Sequence, residues 1–158
     1  MNVGEICCQK VVITGKQDSI YSVARLMQEH RVSHVIVVES RNGINVPLGL
    51  VSERDIVVKI IAAGLDLASV SVGDIMREQL LTANEGDTVM ATLKRMRHGG
   101  IRRIVVLDRN NGLLGLLSIN DILDSLTEQL NDIDQIIIQE HQRGLAEQAG
   151  IYQRPLSN

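Results

Sequence analysis

Apolar positions along the chain follow two spacings, one typical of helices and one typical of buried strands. Apolar residues recur at steps of three and four over Ile20–Met27 and Val89–Met96, which places them on one face of a helix. Each segment is followed by a dense apolar run, VIVV at Val35–Val38 and IVVL at Ile104–Leu107, typical of a strand buried on both faces. The pattern therefore predicts an α/β chain.

The same order of elements occurs twice. Val3–Glu39 aligns without a gap with Val72–Asp108, 69 residues later, and the stretch GLVSERDI at Gly49–Ile56 returns as GLLSINDI at Gly115–Ile122, 66 residues later. The offset drops because the turn SRNGINVPL is three residues longer than its counterpart RNNGLL. Length variation confined to a turn is expected of two copies of one unit.

Each copy predicts the order β-α-β-β-α. A short strand, Val11–Ile13 or Leu80–Thr82, precedes an aspartate, Asp18 or Asp87, that is suited to N-cap the first helix. The two apolar strands that follow are joined by a turn with an Asn-Gly pair, which favours a hairpin. The stretch GLVSERDI or GLLSINDI then begins the second helix.

This doubled unit, with each copy ending in Gly-h-h-Ser-x-x-Asp-h (h, apolar), resembles a tandem pair of cystathionine-beta-synthase (CBS) domains, called a Bateman module. The resemblance covers about Val3–Thr127 and places the repeats at residues 3–66 and 72–127, before a C-terminal helix and tail at 128–158. It implies an α/β (α+β) fold in which the repeats pack about a pseudo-twofold axis. It also implies clefts for adenosine-containing ligands, such as AMP, ADP, ATP, NAD or S-adenosylmethionine, and no catalytic chemistry.

Each copy contributes a glycine, a serine and an aspartate to this motif: Gly49, Ser52 and Asp55, then Gly115, Ser118 and Asp121. The glycine lets another backbone or a ligand approach closely, and the serine begins a helix, whose free N–H groups favour an anion. The aspartate can accept two hydrogen bonds from a cis-diol, and the resemblance implies that it holds the ribose. Ser-x-x-Asp is also the spacing of a capping box, and the two roles are compatible.

The family pattern implies that both repeats contribute to each cleft. Beside Asp121, the second cleft comprises Leu116, Ser118, Asn120, Arg102, Arg103, Val12 and Val32. Beside Asp55, the first cleft comprises Leu50, Ser52, Arg54, Ser33, His34, Leu81 and Ile101.

The copies differ where a phosphate is expected, since an arginine pair, Arg102–Arg103, corresponds to Ser33–His34. Arginine pairs recognise phosphate through a planar fork of donors, which favours a phosphorylated ligand in the Asp121 cleft. Alternatively, both arginines flank a buried strand and lie in solvent.

Composition narrows the classes of partner. The 158 residues are 44% hydrophobic and 22% charged, with a net charge of −3, so no global field attracts nucleic acid or an acidic membrane. Aromatic residues make up 1%, which predicts an aliphatic core and disfavours binding to single-stranded nucleic acid by base stacking. Without a recognisable signal or membrane span, we expect a cytoplasmic protein.

The remaining candidate chemistry is sparse. Cys7 and Cys8 are read as buried, small apolar residues in a reducing compartment, with a redox or metal role left open. A helical metal pair of His30 and His34 is disfavoured because a strand pattern begins between them.

An apolar stripe marks the C-terminal helix. Leu126, Leu130, Ile133 and Ile137 follow one another at steps of 4, 3 and 4, and the final segment YQRPLSN is expected to fray. The stripe packs either on its own module or on a second chain, and the resemblance favours a homodimer.

Three functions compete. The first is a regulatory sensor that binds an adenine nucleotide, needs no cofactor and signals to a separate partner protein. The second is a dimerisation scaffold that binds no small molecule. An enzyme is disfavoured, because the sequence shows no P-loop, metal cluster or nucleophile–base pair.

Overall fold

The computed structural model describes the backbone of residues 1–152 and the side chains of residues 1–150. It divides into two units, Met1–Asp121 and Ile122–Asn158, which are described separately. Residues 153–158, and with them most of the segment predicted to fray, lie outside the described part of the chain.

The order β-α-β-β-α is confirmed in both copies. The first comprises α1 (Val3–Ile6), β1 (Ile13–Gly15), α2 (Ile20–His30), β2 (His34–Arg41), β3 (Ile44–Ser52) and α3 (Glu53–Ile56), which continues as a π-helical turn (Val57–Ile61). After a 3₁₀ turn (Leu67–Ser69), the second comprises α4 (Val72–Ile75), β4 (Thr82–Asn84), α5 (Val89–Gly99), β5 (Arg103–Leu107), β6 (Leu113–Ser118) and α6 (Ile119–Tyr152).

Two three-stranded sheets have the same topology and register. The order is β1-β2-β3 in one sheet and β4-β5-β6 in the other, with the first pair parallel and the second antiparallel. Ile13 pairs with Ile36, and the residues 69 positions after these two, Thr82 and Val105, pair in the same way. The repeat found in the sequence is therefore a repeat of structure.

Aliphatic side chains of the central strands form the core, as the composition predicts. Val35 and Val37 of β2 are fully buried and pack with Ile20, Val23 and other apolar residues in one cluster. In β5, Ile104, Val105 and Val106 are buried in the same way. Branched aliphatic residues suit a strand that is covered on both faces.

The helix caps differ from the prediction by one residue. The N-caps are Ser19 and Thr88, whose hydroxyl oxygens accept hydrogen bonds from backbone N–H groups three residues later. Asp18 instead accepts from the Thr14 hydroxyl at 2.6 Å and the Gly15 N–H at 2.7 Å, which hold the pKa of its carboxyl below the usual value. The predicted caps Asp18 and Asp87 were wrong because the turn before each helix needs an acceptor of its own.

The short strands begin two residues later than predicted, at Ile13 and Thr82. Val11 and Val12 precede the β ladder, although the carbonyl oxygen of Val12 accepts a hydrogen bond from the N–H of Ile36. The apolar character of Val11 and Val12 reflects a different role, because both line a cleft.

The N-terminal segments of the two copies are exchanged. The Val3 N–H donates to the Asp87 carbonyl at 2.9 Å, and the Val72 N–H donates to the Asp18 carbonyl at 3.0 Å. Helix α1 therefore lies against the second copy, and α4 lies against the first. Each half of Met1–Asp121 supplies part of the other.

Both motif glycines lie where these exchanged segments cross a strand. A Cβ atom on Gly115 would come within 2.6 Å of the Cys8 carbonyl oxygen, and one on Gly49 within 2.7 Å of the Met76 sulfur. The close approach predicted at these glycines is thus confirmed, and the approaching group is the chain itself.

Within residues 1–152, no helix combines the length and apolar character needed to cross a bilayer.

Candidate functional site

Ser-x-x-Asp forms a capping box in both copies. The Ser52 and Ser118 hydroxyls accept from the backbone N–H of Asp55 and Asp121 at 3.1 and 3.2 Å. In return, Oδ2 of each aspartate accepts from the serine N–H, at 2.9 and 2.7 Å, and from the serine hydroxyl, at 2.6 Å in both. One oxygen of each carboxylate is therefore committed to its helix, and the other determines what the site can bind.

In the first copy the second oxygen is also engaged. Asp55 Oδ1 lies 3.2 Å from Arg77 Nε and 3.4 Å from Lys59 Nζ, and only 4% of the Asp55 side chain is exposed. Burial alone would raise the pKa of Asp55, but the hydrogen bonds from Ser52 and Arg77 and the charge of Arg77 hold it below the usual value. Asp55 is thus a buried, charged and paired carboxylate.

In the second copy the carboxylate is more accessible. Asp121 is half-buried and lines a cavity of about 290 Å³. Among the described residues, the ion pairs of Asp55 have no counterpart at Asp121. An otherwise similar capping box therefore presents a carboxylate to a cleft.

This Asp121 cleft brings together six of the eight residues predicted for it: Val12, Val32, Arg103, Leu116, Ser118 and Asp121. Val12 and Val32 come from the first copy and the other four from the second, so the cleft lies between the two copies. Its lining combines aliphatic side chains with polar groups, among them the Arg103 guanidinium, the Ser118 hydroxyl and the Asp121 carboxylate.

The two remaining predicted residues, Arg102 and Asn120, lie in a smaller cavity of about 140 Å³. Arg103 and Ser118 line this cavity as well as the Asp121 cleft, so the two spaces share a wall. The arginine pair and the first turn of α6 thus form a small polar recess beside the cleft.

Sequence reasoning assigned five residues of the Asp121 cleft to neither cleft: the apolar Val11 and Ile36, together with Cys8, Lys10 and Arg31. Lys10 precedes Val11, and Arg31 precedes Val32, so each cation adjoins a cleft-lining valine in the sequence. That adjacency was an available signal. Cys8 was read as buried with Cys7, but only Cys7 is buried, and burial raises the pKa of its thiol.

The cleft expected at Asp55 has a different lining. A cavity of about 280 Å³ contains the predicted His34, Leu50, Leu81 and Ile101. Its lining does not include Asp55, Ser52 or Arg54, whereas Arg77 is part of it. Ser33, assigned to this cleft, lines the Asp121 cleft instead, and Arg102, assigned to the Asp121 cleft, lines this one.

His34 and Arg103 meet between the two clefts. They occupy equivalent positions in the two copies, both line both clefts, and Arg103 Nη1 lies 3.4 Å from His34 Nε2. Burial, and next the charge of Arg103, lower the pKa of His34. A neutral ring that accepts from Arg103 at Nε2 carries its proton on Nδ1, which then donates to the Ser33 hydroxyl at 2.7 Å.

A larger open groove of about 650 Å³ lies elsewhere in Met1–Asp121. Its lining includes Glu5, Glu85 and Asp108, and Arg109 there pairs with Glu85 at 2.9 Å. None of the motif residues lies in it. The acidic lining makes it a poor place for a phosphate.

No group of three or more histidine, cysteine, aspartate or glutamate side chains within residues 1–150 is arranged to hold a metal ion. His30 ends α2 and His34 begins β2, which separates the pair by a change of element.

Comparison with family models decides the identity. The model described as CBS domain matches residues 3–62 and again residues 72–128. The chain belongs to the CBS domain family. Its α/β fold, with two three-stranded sheets and a C-terminal helix, matches that of solved CBS domain pairs.

A relative among known proteins shows how much of its sequence this CBS-domain chain shares. An uncharacterised protein of Methanopyrus kandleri is 31% identical over 123 residues, which cover 78% of this chain and 61% of the relative. The chain thus spans about three fifths of that relative's length.

Solved structures with a similar fold are also CBS-domain proteins. The CBS domain protein of Pyrobaculum aerophilum, complexed with AMP, has a TM-score of 0.67 and 30% identity, covering 77% of this chain and 89% of that one. A hexameric CBS-CP12 protein from bloom-forming cyanobacteria has a TM-score of 0.67 and 29% identity, covering 78% and 66%.

Proposed function

We propose that this CBS-domain protein is a regulatory sensor that binds an adenine nucleotide of the AMP type in the Asp121 cleft. The observation that carries the proposal is the Asp121 carboxylate, which caps α6 and also lines a cleft that contains both aliphatic and cationic side chains. A nucleotide needs the same combination: an acceptor for its ribose, an apolar slot for its base and cations for its phosphate.

Each part of the ligand has a matching group. The ribose hydroxyls donate to Asp121, and the base lies against Val12 and Val32, in place of aromatic stacking. The phosphate lies towards Arg103, with Lys10 also in the lining. The free N–H groups at the start of α6, which begins at Ile119, favour the same negative charge.

The cations favour phosphorylated ligands over S-adenosylmethionine. Lys10, Arg31 and Arg103 all line the Asp121 cleft, and they would repel a sulfonium centre but attract a phosphate. The P. aerophilum relative, of similar fold, was solved with AMP. AMP is therefore the first probe, ADP and ATP follow, and NAD is the dinucleotide to compare.

A thermal-shift screen tests this proposal. Free protein, shown to contain no co-purified nucleotide, is heated with AMP, ADP, ATP, NAD or S-adenosylmethionine. A ligand at 100 times its dissociation constant adds about 2.7 kcal/mol, which raises the melting temperature by about 5 °C or more. We expect the largest shift with a nucleotide monophosphate, diphosphate or triphosphate. No shift with any of the five would contradict the proposal and favour the ligand-free scaffold.

The proposed output is a change in association with other protein chains. Leu130, Ile133 and Ile137 of α6 are exposed in the single chain and form one stripe, and the cyanobacterial relative is hexameric. We propose that the stripe packs on a second copy of the chain, and that nucleotide binding alters how this homodimer presents itself to an effector protein.

Charge placed on the stripe tests the homodimer. The double variant Leu130→Asp and Ile137→Asp should shift the protein to monomer, because burying two carboxylates in an apolar contact is unfavourable. Light scattering after size exclusion measures the mass directly. Replacement of the exposed polar Gln135 by Asp on the same helix is the control. A wild type that is already monomeric at tens of micromolar would contradict the homodimer.

A further inference from the structure

The exchanged segments place two different residues at equivalent points of the two clefts. Arg77 and Leu50 exchange backbone hydrogen bonds of 2.9 and 3.2 Å, and Cys8 and Leu116 exchange two of 3.0 Å. Leu50 and Leu116 each follow the motif glycine. Arg77 therefore occupies the same position beside the first motif that Cys8 occupies beside the second.

The side chains at this crossing position differ in reach and in charge. The Arg77 guanidinium extends to Asp55 and pairs with Oδ1 at 3.2 Å. The Cys8 thiol is short and neutral, and its sulfur lies 3.6 Å from the Lys10 carbonyl oxygen instead of reaching Asp121. Hence Asp55 is covered by a side chain of the protein itself, whereas Asp121 is accessible from its cleft.

A second cation reinforces the contrast. Lys59, in the π-helical turn, donates to the Ile75 carbonyl at 2.7 Å and lies 3.4 Å from Asp55 Oδ1. Its counterpart in the sequence of the second copy is the uncharged Ser125. In the first copy both carboxylate oxygens are engaged, Oδ2 by the cap and Oδ1 by the two cations.

The cavities reflect this difference. Asp121 lines its cleft together with Cys8, whereas Arg77 lines the other cleft and Asp55 does not. A ribose entering the first cleft would meet the guanidinium before the carboxylate. It would also have to break an ion pair whose acidic member is almost fully buried.

We propose that the residue at the crossing position decides which cleft accepts a nucleotide. Arg77 covers the Asp55 carboxylate, Cys8 leaves the Asp121 carboxylate open to its cleft, and the chain binds one adenine nucleotide, at Asp121. This inference rests on the proposed function, and it identifies Arg77 as the residue that makes two similar motifs unequal.

Reciprocal exchange of the two residues tests the inference by calorimetric titration with AMP. The wild type is expected to bind one AMP per chain. Arg77→Cys should bind two, because the guanidinium no longer covers Asp55 and only the partly exposed Lys59, 3.4 Å away, still contacts Oδ1. Cys8→Arg should weaken binding at the Asp121 cleft at least about tenfold, since the new guanidinium can pair with Asp121. Arg77→Gln removes the charge with less change in side-chain length and should also bind two.

A matched variant outside both clefts controls for the loss of an arginine. Arg25→Cys removes an arginine from the exposed face of α2 and should bind one AMP, as the wild type does. Melting temperatures show whether each variant is folded before titration.

The outcomes separate the two proposals. Two AMP molecules bound to the wild type, or one bound to both Arg77 variants, would overturn the role of Arg77 while leaving nucleotide binding intact. No AMP bound to the wild type or to any variant would overturn the proposed AMP site, and the role of Arg77 with it.

Discussion

Replacing Asp121 with asparagine is expected to weaken AMP binding by about 10- to 100-fold. Asparagine keeps the size of the side chain but removes the charge that strengthens hydrogen bonds from the ribose hydroxyls. A hydrogen bond to a charged group contributes about 1.5–3 kcal/mol, and each 1.4 kcal/mol is a factor of ten. Calorimetric titration with AMP measures the loss.

The control for this variant must lose the same kind of helix cap. Asp74 forms an equivalent capping box at the start of α4, where its Oδ2 accepts from the Ser71 N–H at 2.8 Å and the Ser71 hydroxyl at 2.9 Å. It lines neither cleft. Asp74→Asn should keep wild-type affinity. Equal losses in both variants would mean that the capping box, and not a ribose contact, explains the effect.

Replacing Gly115 with alanine is expected to lower the free energy of unfolding by about 1–3 kcal/mol, the usual cost of overpacking. The added methyl would lie 2.6 Å from the Cys8 carbonyl oxygen and 3.2 Å from its carbonyl carbon. These are backbone atoms held by paired hydrogen bonds to Leu116. The exchanged N-terminal segment must therefore move, and denaturant unfolding measures the cost.

Two other glycines calibrate this result. At Gly86 no atom lies within 4 Å of an added Cβ, so Gly86→Ala should change stability by no more than about 0.5 kcal/mol. At Gly49 the closest atom is the Met76 sulfur, at 2.7 Å, and the closest backbone atom is the Arg77 carbonyl oxygen, at 3.0 Å, compared with 2.6 Å for the Cys8 carbonyl oxygen at Gly115; Gly49→Ala should therefore cost less than Gly115→Ala. A Gly115 variant as stable as the Gly86 variant would show that the crossing is not tightly packed.

Much of the fold could be predicted from the sequence, because its signals are local and occur twice. Helical spacing identified α2 and α5, and continuous apolar runs identified β2 and β5. Aligning the chain with itself then made the weaker signals, such as the Ser-x-x-Asp motif, more specific. A motif that occurs twice at matching points is less ambiguous than a motif that occurs once. The repeat boundaries at residues 66 and 72 stay a prediction.

The errors at the helix starts have a local cause. Aspartate and serine are both good N-caps, and the sequence presents them side by side at Asp18–Ser19. Which of the two caps the helix depends on where the preceding strand ends. In the fold, the hydroxyl of Thr14 and the N–H of Gly15 donate to the Asp18 carboxylate, and Ser19 caps the helix.

The inequality of the two clefts could not be predicted from the motif. Asp55 and Asp121 share the glycine, the serine and the following isoleucine of the motif, but Asp55 also contacts Arg77, 22 residues along the chain. That contact exists because α4 and the residues that follow it lie against the first copy. Motif reading therefore identifies the candidate aspartates, whereas their availability is a property of tertiary structure.

A structural asymmetry of this kind gives a sensor a simple response. If only the Asp121 cleft binds a nucleotide, occupancy changes one side of the repeat pair. His34 and Arg103 contact each other and line both clefts, so they connect the two sides. A ligand signals only if it binds two states with different affinity. A phosphate that attracts Arg103 away from His34 would supply such a difference.

The most direct test of a single AMP site at Asp121 is a crystal structure of the protein grown with AMP. We expect one nucleotide per chain, with its ribose hydroxyls within hydrogen-bond distance of the Asp121 carboxylate, its base between Val12 and Val32, and its phosphate near Arg103. The Arg77–Asp55 pair should remain intact in the same crystal. A nucleotide bound at Asp55, or clear density for AMP away from both motifs, would contradict the account.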